Sequence, residues 1–565
     1  MSIVAETAVS PIRPASQVMQ LSRMGCFHQT RLSFMRVLLR RLKNEQWQFT
    51  RPIWRIDENG VGVATYQATG PERSYTLVAF AHDLPADKRS DRVIAEAWDS
   101  TFTLFDGIPT DIDIERLSKN VPLQEAGRIS DSEFVLARAN RSVRLFEYVI
   151  DCLSKGEQPD PERIGQTGYL MRTSAVYGSS KFGAADRELW ADRPEFVGSF
   201  QPELLAVWLI RAYVLDLVEQ LAQTRSPDTA AVLAPEIRRS FGVGNSTGLG
   251  MAPFLLFHPS LIHAWINARE TALTRVRDIV NPCADRVDVF LNRVSRAHIN
   301  ALQWKVAHEG QAAKIEGLHQ DFKALNNYLE KTTLTAPYAW DALYLWAEKN
   351  LTLEGQEQVV SLLLEPHGTL IDSLSQTMCS DEKSYFKIDG SQKTALLIDT
   401  LEKDYAWALS IDYQDRQACA RVWYVSEEKL EPRLGERHEE PIEPYEQPLC
   451  PGRDVKRAYE DLKACQGENA SIAAFLMHHP EHRHVIRRVQ LTTQLTYAEV
   501  RNNTIAADML PIDLLRCKLS FFGATKFDPR SDRWVRITMY QGAPFPHELA
   551  SMDPDECAYP PFAAQ

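Results

Sequence analysis

GYLMRTSAVYGSSKFGAADRELW, residues Gly168–Trp190, decides the predicted architecture, because a related stretch, LLRCKLSFFGATKFDPRSDRW, occupies Leu514–Trp534. Each stretch contains an arginine, then Gly-x-x-Lys-Phe, then Asp-Arg and a tryptophan, and the two align with insertions or deletions of one or two residues. This shared order predicts an internal duplication. The alternative is that two mixed α/β segments share loop chemistry by chance.

The elements predicted around the two copies occur in the same order, which favours the duplication. Before the first copy, β-rich runs separated by turn signals predict an antiparallel meander at residues 47–82. Before the second, β-rich runs from Thr394 predict strands, and the acidic, proline-rich residues 427–450 predict an exposed loop. Apolar spacing predicts helices at Asp91–Leu104, Ile112–Lys119, Ser132–Lys155, Asp454–Cys465, Ala470–Met477, Pro480–Val489 and Tyr497–Asp508.

The residues between the copies predict helices, beginning with Pro202–Thr224 and Thr229–Ser240. The predicted fold class is therefore α+β, predominantly α-helical, with two related halves that each combine a small antiparallel sheet with helices. The predicted division is a flexible N-terminal arm at 1–20, a first α+β half at 21–198, a helical middle domain at 199–390 and a second α+β half at 391–565.

The bulk composition excludes several classes of protein. Apolar residues make up 44% and charged residues 24% of the 565-residue chain, as in soluble globular proteins of more than one domain. A net charge of -12 disfavours binding to nucleic acid or to anionic membranes. The nine scattered cysteines indicate thiols in a reducing compartment, and neither a secretory signal nor a membrane-spanning run is present. The sequence therefore predicts a soluble, cytoplasmic protein.

The basic residues of the two copies are candidates for binding a small anion. A guanidinium group offers a planar fork to a carboxylate or phosphate, and an amine offers a mobile charge. The alternative role for these residues is a structural network of salt bridges. The candidates are Arg172, Lys181 and Arg187 in the first copy, and Arg516, Lys526 and Arg533 in the second.

A glycine-rich run, Gly242–Gly250 (GVGNSTGLG), predicts a loop whose backbone N–H groups bind an anion ahead of a helix. It lacks the Gly-Lys-Ser/Thr ending of a P-loop, and a helix rather than a strand is predicted before it. The alternative is a tight turn between packed helices. The candidate ligand residues are Gly244, Asn245, Ser246, Thr247 and Gly248.

Two groups of basic residues outside these motifs have structural and functional interpretations. Arg36, Arg40 and Lys43 share one face of a predicted helix, which is either an anion site or, as the sequence favours, a solvent-exposed face. Four histidines lie close together in sequence, but a zinc-like site needs three or four convergent ligands. The sequence therefore predicts a capping or solvated histidine cluster and no metal ligand; its members are His478, His479, His482 and His484.

These observations predict an enzyme that acts on a small anionic metabolite and that assembles as a homo-oligomer. Tyr177, Asp186 and His258 are the candidate acid–base residues. Tyr177 has the Y-x-x-x-K spacing to Lys181 at which an amine lowers a tyrosine pKa, but no glycine-rich cofactor signature accompanies it, and the second copy has Phe521 or Phe522 at that position. The sequence determines neither the reaction nor a cofactor. The alternative is a non-catalytic, pseudo-symmetric scaffold or ligand sensor.

Overall fold

The computed structural model groups the chain into two compact units, which are described separately. The sheet unit comprises His28–Gly250, Lys305–His308 and Lys518–Gln565, and the helical unit comprises Met1–Phe27, Met251–Trp304 and Glu309–Cys517. The structure describes residues 11–89, 97–123, 130–174, 193–196, 198–245, 255, 258–304, 309–378, 387–415, 422–426, 432–435, 446–449, 451–465, 470–501, 511–529 and 535–558.

The sheet unit is built on a nine-stranded mixed sheet in the order β1-β2-β3-β4-β5-β6-β7-β12-β11. Neighbouring strands are antiparallel, except that β6 and β7 are parallel. The strands are β1 Gln48–Ile56, β2 Gly62–Thr69, β3 Ser74–Ala81, β4 Ser100–Asp106, β5 Glu133–Arg141, β6 Tyr169–Thr173, β7 Gly242–Asn245, β11 Ala524–Pro529 and β12 Val535–Met539. The meander predicted at residues 47–82 is confirmed as β1–β3.

The long helix Gln201–Arg225 packs across strands β2 to β7 and confirms the helix predicted at Pro202–Thr224. It is buried on nearly all sides because most of its side chains are apolar or aromatic, among them Trp208 and Tyr213, and they are distributed around the whole circumference. The other helices of this unit are Phe34–Asn44, Asp111–Asn120, Phe146–Ser154, Pro161–Thr167 and Pro235–Arg239, with 3-10 turns at Ala86–Lys88, Pro194–Phe196 and Pro554–Ala558.

The helical unit contains a three-stranded antiparallel sheet in the order β10-β8-β9, with β8 at Val422–Ser426, β9 at Pro432–Gly435 and β10 at Glu446–Leu449. Part of its core is formed by Leu397, Leu401, Val455, Phe475 and Val489. Its helices are Ala15–Val18, Leu21–Met24, Pro259–Arg277, Ala284–Leu302, Glu309–Leu329, Ala339–Asn350, Leu353–Leu364, Gly368–Ile371, Thr394–Asp404, Ala406–Leu409, Pro451–Ala464, Ile472–His478 and Arg483–Gln494. Its 3-10 turns are Glu365–His367, Asp372–Thr377 and Pro480–His482. The boundary between the units falls after Cys517, within the helix Pro511–Phe522.

Two predicted elements are of the wrong type because the pattern of apolar residues in each was assigned to the wrong periodicity. The run from Thr394 is a helix, in which Leu397, Leu401 and Tyr405 repeat at helical spacing on the buried side. Conversely, the first part of the helix predicted at Ser132–Lys155 is strand β5, which is buried on both faces and therefore lacks the alternation typical of a half-exposed strand. The last part of that prediction is confirmed as the helix Phe146–Ser154.

Three further predictions need correction. Residues 100–104, predicted as the end of a helix, belong to strand β4, and residues 427–450, predicted as a loop, contain β9 and β10. Residues 497–501 are not helical, and of the helix predicted at 229–240 only Pro235–Arg239 forms. Each of these segments is short, so its conformation is determined more by tertiary contacts than by its local sequence preference.

The mixed sheet together with many helices confirms the α+β class. Among the described residues, no helix combines the length and the apolar character that a membrane crossing requires. The arginines that the repeat aligns lie on different elements, Arg172 on strand β6 and Arg516 on a helix. The predicted duplication and the division into two halves and a middle domain stay predictions.

Candidate functional site

Strands β6 and β7 bring together three residues that the sequence singled out: Arg172, Gly244 and Asn245. The two strands are parallel, and Arg172 pairs with Gly244 while Thr173 pairs with Asn245. Carboxyl ends of adjacent parallel strands meet at one edge of a sheet, which is a common location for ligand sites in such sheets. The strand residues of the two predicted anion-binding stretches therefore end at the same edge, at Thr173 and Asn245.

Many of the predicted site residues lie outside the described residues. These are Tyr177, Lys181, Asp186, Arg187, Ser246, Thr247, Gly248 and Arg533. Lys526 lies in strand β11, of which only the backbone is described at that position. Their predicted roles stay predictions.

Gly244 and Asn245 are strand residues, so the loop predicted for them is wrong at these two positions. The glycine has a packing reason: a Cβ atom at position 244 would lie 2.5 Å from Cγ of Arg172 and 2.8 Å from a ring carbon of Tyr169. Both distances are shorter than carbon atoms tolerate. Gly244 therefore allows the side chains of β6 to cross strand β7 at close range.

Arg172 and Asn245 point to opposite faces of the sheet. Arg172 is in register with Gly244, Asn245 is the next residue along β7, and successive side chains of a strand alternate between the two faces. Both side chains are buried. The sheet therefore aligns these two residues along its edge but does not place their polar groups side by side.

Asn245 is fully buried, and its amide group is oriented by hydrogen bonds. Its Nδ2 donates to the backbone oxygen of Thr173 at 3.1 Å, which turns the Oδ1 atom towards Lys518. The Nζ atom of Lys518 donates to that Oδ1 at 3.0 Å. Asn245 thus connects the end of strand β6 to an amine that the sequence analysis did not single out.

Lys518 is a buried amine that has no acidic partner among the described residues. Its side chain is 2% exposed, the ring of Phe522 lies 5.8 Å from its Nζ, and no carboxylate among the described residues forms an ion pair with it. Burial lowers the pKa of Lys518 to about 7, because an ammonium ion loses its hydration there. At neutral pH a large fraction of the amine is therefore uncharged.

An uncharged amine at neutral pH can do two things that an ordinary lysine does poorly. Its lone pair can accept a proton or add to a carbonyl carbon, which is the usual chemistry of catalytic lysines in apolar surroundings. The sequence signal for Lys518 was present but not used: it is the single lysine of an otherwise mostly apolar helical segment, LLRCKLSFF, at 514–522. A lysine is almost never fully buried unless it is paired with an acidic group, so a lysine in such a segment is a candidate for a functional residue.

Arg516 and His258, two other predicted site residues, lie in the helical unit. The guanidinium group of Arg516 donates to the backbone oxygens of Ser22 and Gly25, at 3.1 and 2.8 Å, and pairs with Glu354. This is the structural arrangement that the sequence analysis considered as the alternative to anion binding. His258 precedes the first turn of the helix Pro259–Arg277.

Comparison of the chain with protein-family models, with curated proteins and with solved structures found no match.

Proposed function

We propose that the protein is an enzyme that acts on a small anionic metabolite containing a carbonyl group, and that the amine of Lys518 adds to that carbonyl. The observation that carries this proposal is the position of Lys518: buried, hydrogen-bonded to Asn245, and without a carboxylate partner among the described residues. Such a site keeps an amine in its nucleophilic form at neutral pH.

The proposed step conserves atoms and charge. The nitrogen lone pair of Lys518 attacks the carbonyl carbon, the two N–H protons of the neutral amine pass to the carbonyl oxygen, and the C–O bond breaks to release water and leave an imine. Protonation of the imine gives an iminium cation, which draws electrons from the neighbouring carbon of the substrate. The Oδ1 atom of Asn245 accepts a hydrogen bond from an N–H group of the amine, so that the nitrogen lone pair of Lys518 points away from Asn245.

The anionic character of the substrate follows from the charge of that iminium ion. A buried cation is costly unless a charge of opposite sign lies close to it. Because the described residues supply no carboxylate to Lys518, we infer that the substrate supplies one itself. A 2-oxo acid, in which the carboxylate is bonded to the reacting carbonyl carbon, satisfies this requirement.

The test is reductive trapping with pyruvate, the simplest methyl 2-oxo acid. The full chain is incubated with pyruvate and borohydride at pH 7, and peptides are analysed by mass spectrometry. We expect a reduced adduct on Lys518, none there in Lys518→Met, and an unchanged adduct in Lys119→Met, which removes an exposed lysine. Adducts spread over exposed lysines with none on Lys518 would contradict the proposal.

The alternative is a non-catalytic ligand sensor, in which a bound anion causes Lys518 to take up a proton from solvent. The same absence of an acidic partner favours it, because an anion beside the amine would raise the pKa of Lys518 towards its ordinary value. Calorimetric titration with inorganic phosphate in two buffers of different ionisation enthalpy measures the proton uptake. Phosphate binding with proton uptake, together with no trapped pyruvate, would favour the sensor over the enzyme.

The internal duplication, the homo-oligomer and the cytoplasmic location stay predictions. The proposal for Lys518 depends on none of them.

A further inference from the structure

The helical unit contains a cluster of two imidazoles and two carboxylates whose ligand atoms all lie within 4.8 Å of one another. Its members are Asp461, His479, Glu481 and His482. Among the residues that the structure describes, this is the group of histidine, cysteine and acidic side chains that satisfies the geometry of a metal site. The cluster shares no residue with the Lys518 site, so the two can be tested independently.

Two neighbouring elements supply these four residues. Asp461 lies on the helix Pro451–Ala464, and the others lie at the turn after the helix Ile472–His478. Pro480 begins the short 3-10 turn that contains Glu481 and His482. Its ring fixes the backbone dihedral φ at the first position of this turn. The histidines are adjacent in the sequence and can be predicted as a group, whereas the acidic residue on the preceding helix has no spacing that links it to them.

The separations of the ligand atoms are close to those of a tetrahedral site. Nδ1 of His479 lies 3.5 Å from Glu481 and 3.9 Å from Asp461, and Nε2 of His482 lies 3.9 Å from Glu481. Zinc–nitrogen and zinc–oxygen bonds of about 2.0–2.2 Å set the ligand atoms of a tetrahedron roughly 3.3–3.6 Å apart. Small side-chain rotations are therefore enough to bring three of the four side chains within bonding distance of a single metal ion.

A further separation is shorter because Asp461 and His482 are joined by a hydrogen bond. The Nε2 of His482 lies 2.6 Å from Oδ2 of Asp461, a hydrogen bond that a metal ion would replace. Metal ions displace protons in this way, because only the deprotonated nitrogen and oxygen atoms bind them. Two carboxylates and two neutral imidazoles carry a charge of -2, which compensates a divalent ion.

The imidazole rings are already oriented by stacking. Phe475 stacks on His479 with 4.9 Å between ring centres and 20° between planes, and on His482 at 6.0 Å and 9°. The other ring nitrogen of His479, Nε2, lies 3.4 Å from Sγ of Cys465. A histidine that binds a metal through one nitrogen usually has the other nitrogen held by a neighbour, and this arrangement provides such a contact.

We propose that Asp461, His479, Glu481 and His482 bind one divalent transition-metal ion of the zinc class. Imidazole and carboxylate ligands suit zinc and its neighbours, whereas calcium and magnesium prefer oxygen ligands alone. The side chain of His482 is 7% exposed and that of Glu481 is 59% exposed. One side of the site is therefore buried, and the Glu481 side is open to solvent.

The test measures the binding of Zn²⁺ alone to the full chain by equilibrium dialysis and metal analysis. We expect one zinc ion per chain, a loss of affinity of more than roughly tenfold in His479→Gln and in His482→Gln, and no retained zinc when both are changed. The matched control is His478→Gln, which changes the exposed neighbouring histidine and should leave zinc binding unchanged. Circular dichroism verifies that each variant is folded.

A second control decides between two ligand sets. If zinc binds His479 through Nε2 together with Cys465, Cys465→Ser abolishes binding and the proposed set is wrong. If the proposed set is correct, Cys465→Ser retains zinc, and Co²⁺ gives the visible absorption of a tetrahedral site with nitrogen and oxygen ligands, without a thiolate charge-transfer band. The absence of zinc binding by the unmodified chain, or an equal loss in His478→Gln, would also refute the proposal.

Discussion

Asn245 and Lys518 are joined by a 3.0 Å hydrogen bond although 273 residues separate them in the chain. Asn245 supplies a neutral acceptor at a position where a carboxylate of nearly the same size would fit. With an asparagine here, Lys518 has no negative partner among the described residues, whereas a buried ion pair would hold the amine in its charged form. Burial lowers the pKa of Lys518, and we expect this lowering to depend on residue 245 remaining uncharged.

The substitution Asn245→Asp is expected to inactivate the amine at neutral pH. The new carboxylate, about 3 Å from Nζ, would raise the pKa of Lys518, so that the amine would be protonated at pH 7. We expect reductive trapping of pyruvate at pH 7 to fall at least tenfold and to recover as the pH is raised, whereas the unmodified chain already reacts at pH 7. Equal trapping yields at pH 7 would show that Asn245 does not control the reactivity of the amine.

Lys518 should make the stability of the folded chain depend on pH in the alkaline range. Burial lowers the pKa of Lys518 from 10.5 to about 7, so between these values the unfolded chain binds more protons at this residue than the folded chain does. The free energy of unfolding therefore rises with pH in this window, by up to about 1.4 kcal/mol per pH unit, and this contribution is flat below pH 7.

Replacement of the lysine should remove that dependence. In Lys518→Met, denaturant unfolding measured from pH 6 to pH 10 is expected to lack the rise, so that the variant gains stability relative to the unmodified chain at pH 7 and loses this advantage towards pH 10. Other groups titrate in the same range, but they cancel in the difference between the two chains. Parallel curves for both would mean that the amine is charged in the folded state.

Gly244 should not tolerate a side chain. A methyl group at this position would lie 2.5 Å from Cγ of Arg172, an atom near the backbone of β6 that cannot move far. We expect Gly244→Ala to lower the free energy of unfolding by about 1–3 kcal/mol, the usual cost of overpacking. The control is Gly165→Ala, on the helix Pro161–Thr167, where no atom lies within 4 Å and alanine favours the helix.

Secondary-structure elements could be predicted from the sequence where the residues that specify them lie within a few positions of one another. The helix Gln201–Arg225 and the meander β1–β3 were predicted correctly because periodicity and turn residues act within a few positions of one another. Strand β5 was misassigned because its residues are buried on both faces, which removes the alternation that identifies a strand. Burial on both faces is a property of its neighbours in the sheet and not of the segment itself.

The candidate sites show the same limit. The sequence located Asn245 and the histidines after Phe475, but not the partners that give them a chemical role. Lys518 reaches Asn245 because the last strands of the chain pair with β7, and Asp461 reaches His482 because two helices pack together. Such long-range pairings leave no spacing pattern in the sequence from which they can be predicted.

Asp555 should be essential for stability because it pairs with three arginines. Its Oδ1 lies 2.7 Å from Arg40 and 3.1 Å from the fully buried Arg36, and its Oδ2 lies 2.9 Å from Arg31. Burial alone would raise the pKa of Asp555, but the three guanidinium groups lower it far below its ordinary value. The solvent-exposed face that the sequence favoured for Arg36 and Arg40 is therefore wrong; this side of the helix binds a carboxylate.

The substitution Asp555→Asn leaves these arginines without their counter-charge, and we expect the free energy of unfolding to fall by about 3–5 kcal/mol. The control is Asp151→Asn, whose partner Arg225 is well exposed and whose loss should change stability little. Denaturant unfolding at pH 7 measures both. A similar small effect for the two substitutions would show that water, rather than Asp555, compensates the arginines.

The buried ion pairs of the helical unit predict a sensitivity to acid. Nε and Nη2 of Arg13 donate to Glu270 at 2.7 and 2.9 Å, and Nη1 donates to Glu357 at 2.7 Å. Burial raises the pKa of Glu270, but Arg13 and Arg269 more than offset this, so that the pKa lies below its ordinary value of 4.5. Below pH 4.5 the unfolded chain then binds a proton at Glu270 that the folded chain does not, and stability is lost as the pH falls.

Glu270→Gln tests whether this carboxylate carries the charge that Arg13 needs. We expect the substitution to cost about 3–5 kcal/mol at pH 7, because it leaves a buried guanidinium group with one carboxylate fewer, and to reduce the loss of stability below pH 4.5. Glu402→Gln, which removes an exposed partner of Lys463, should change neither. If Glu270→Gln were as stable as the unmodified chain at pH 7 but kept the full acid sensitivity, Glu357 would be the carboxylate on which Arg13 depends.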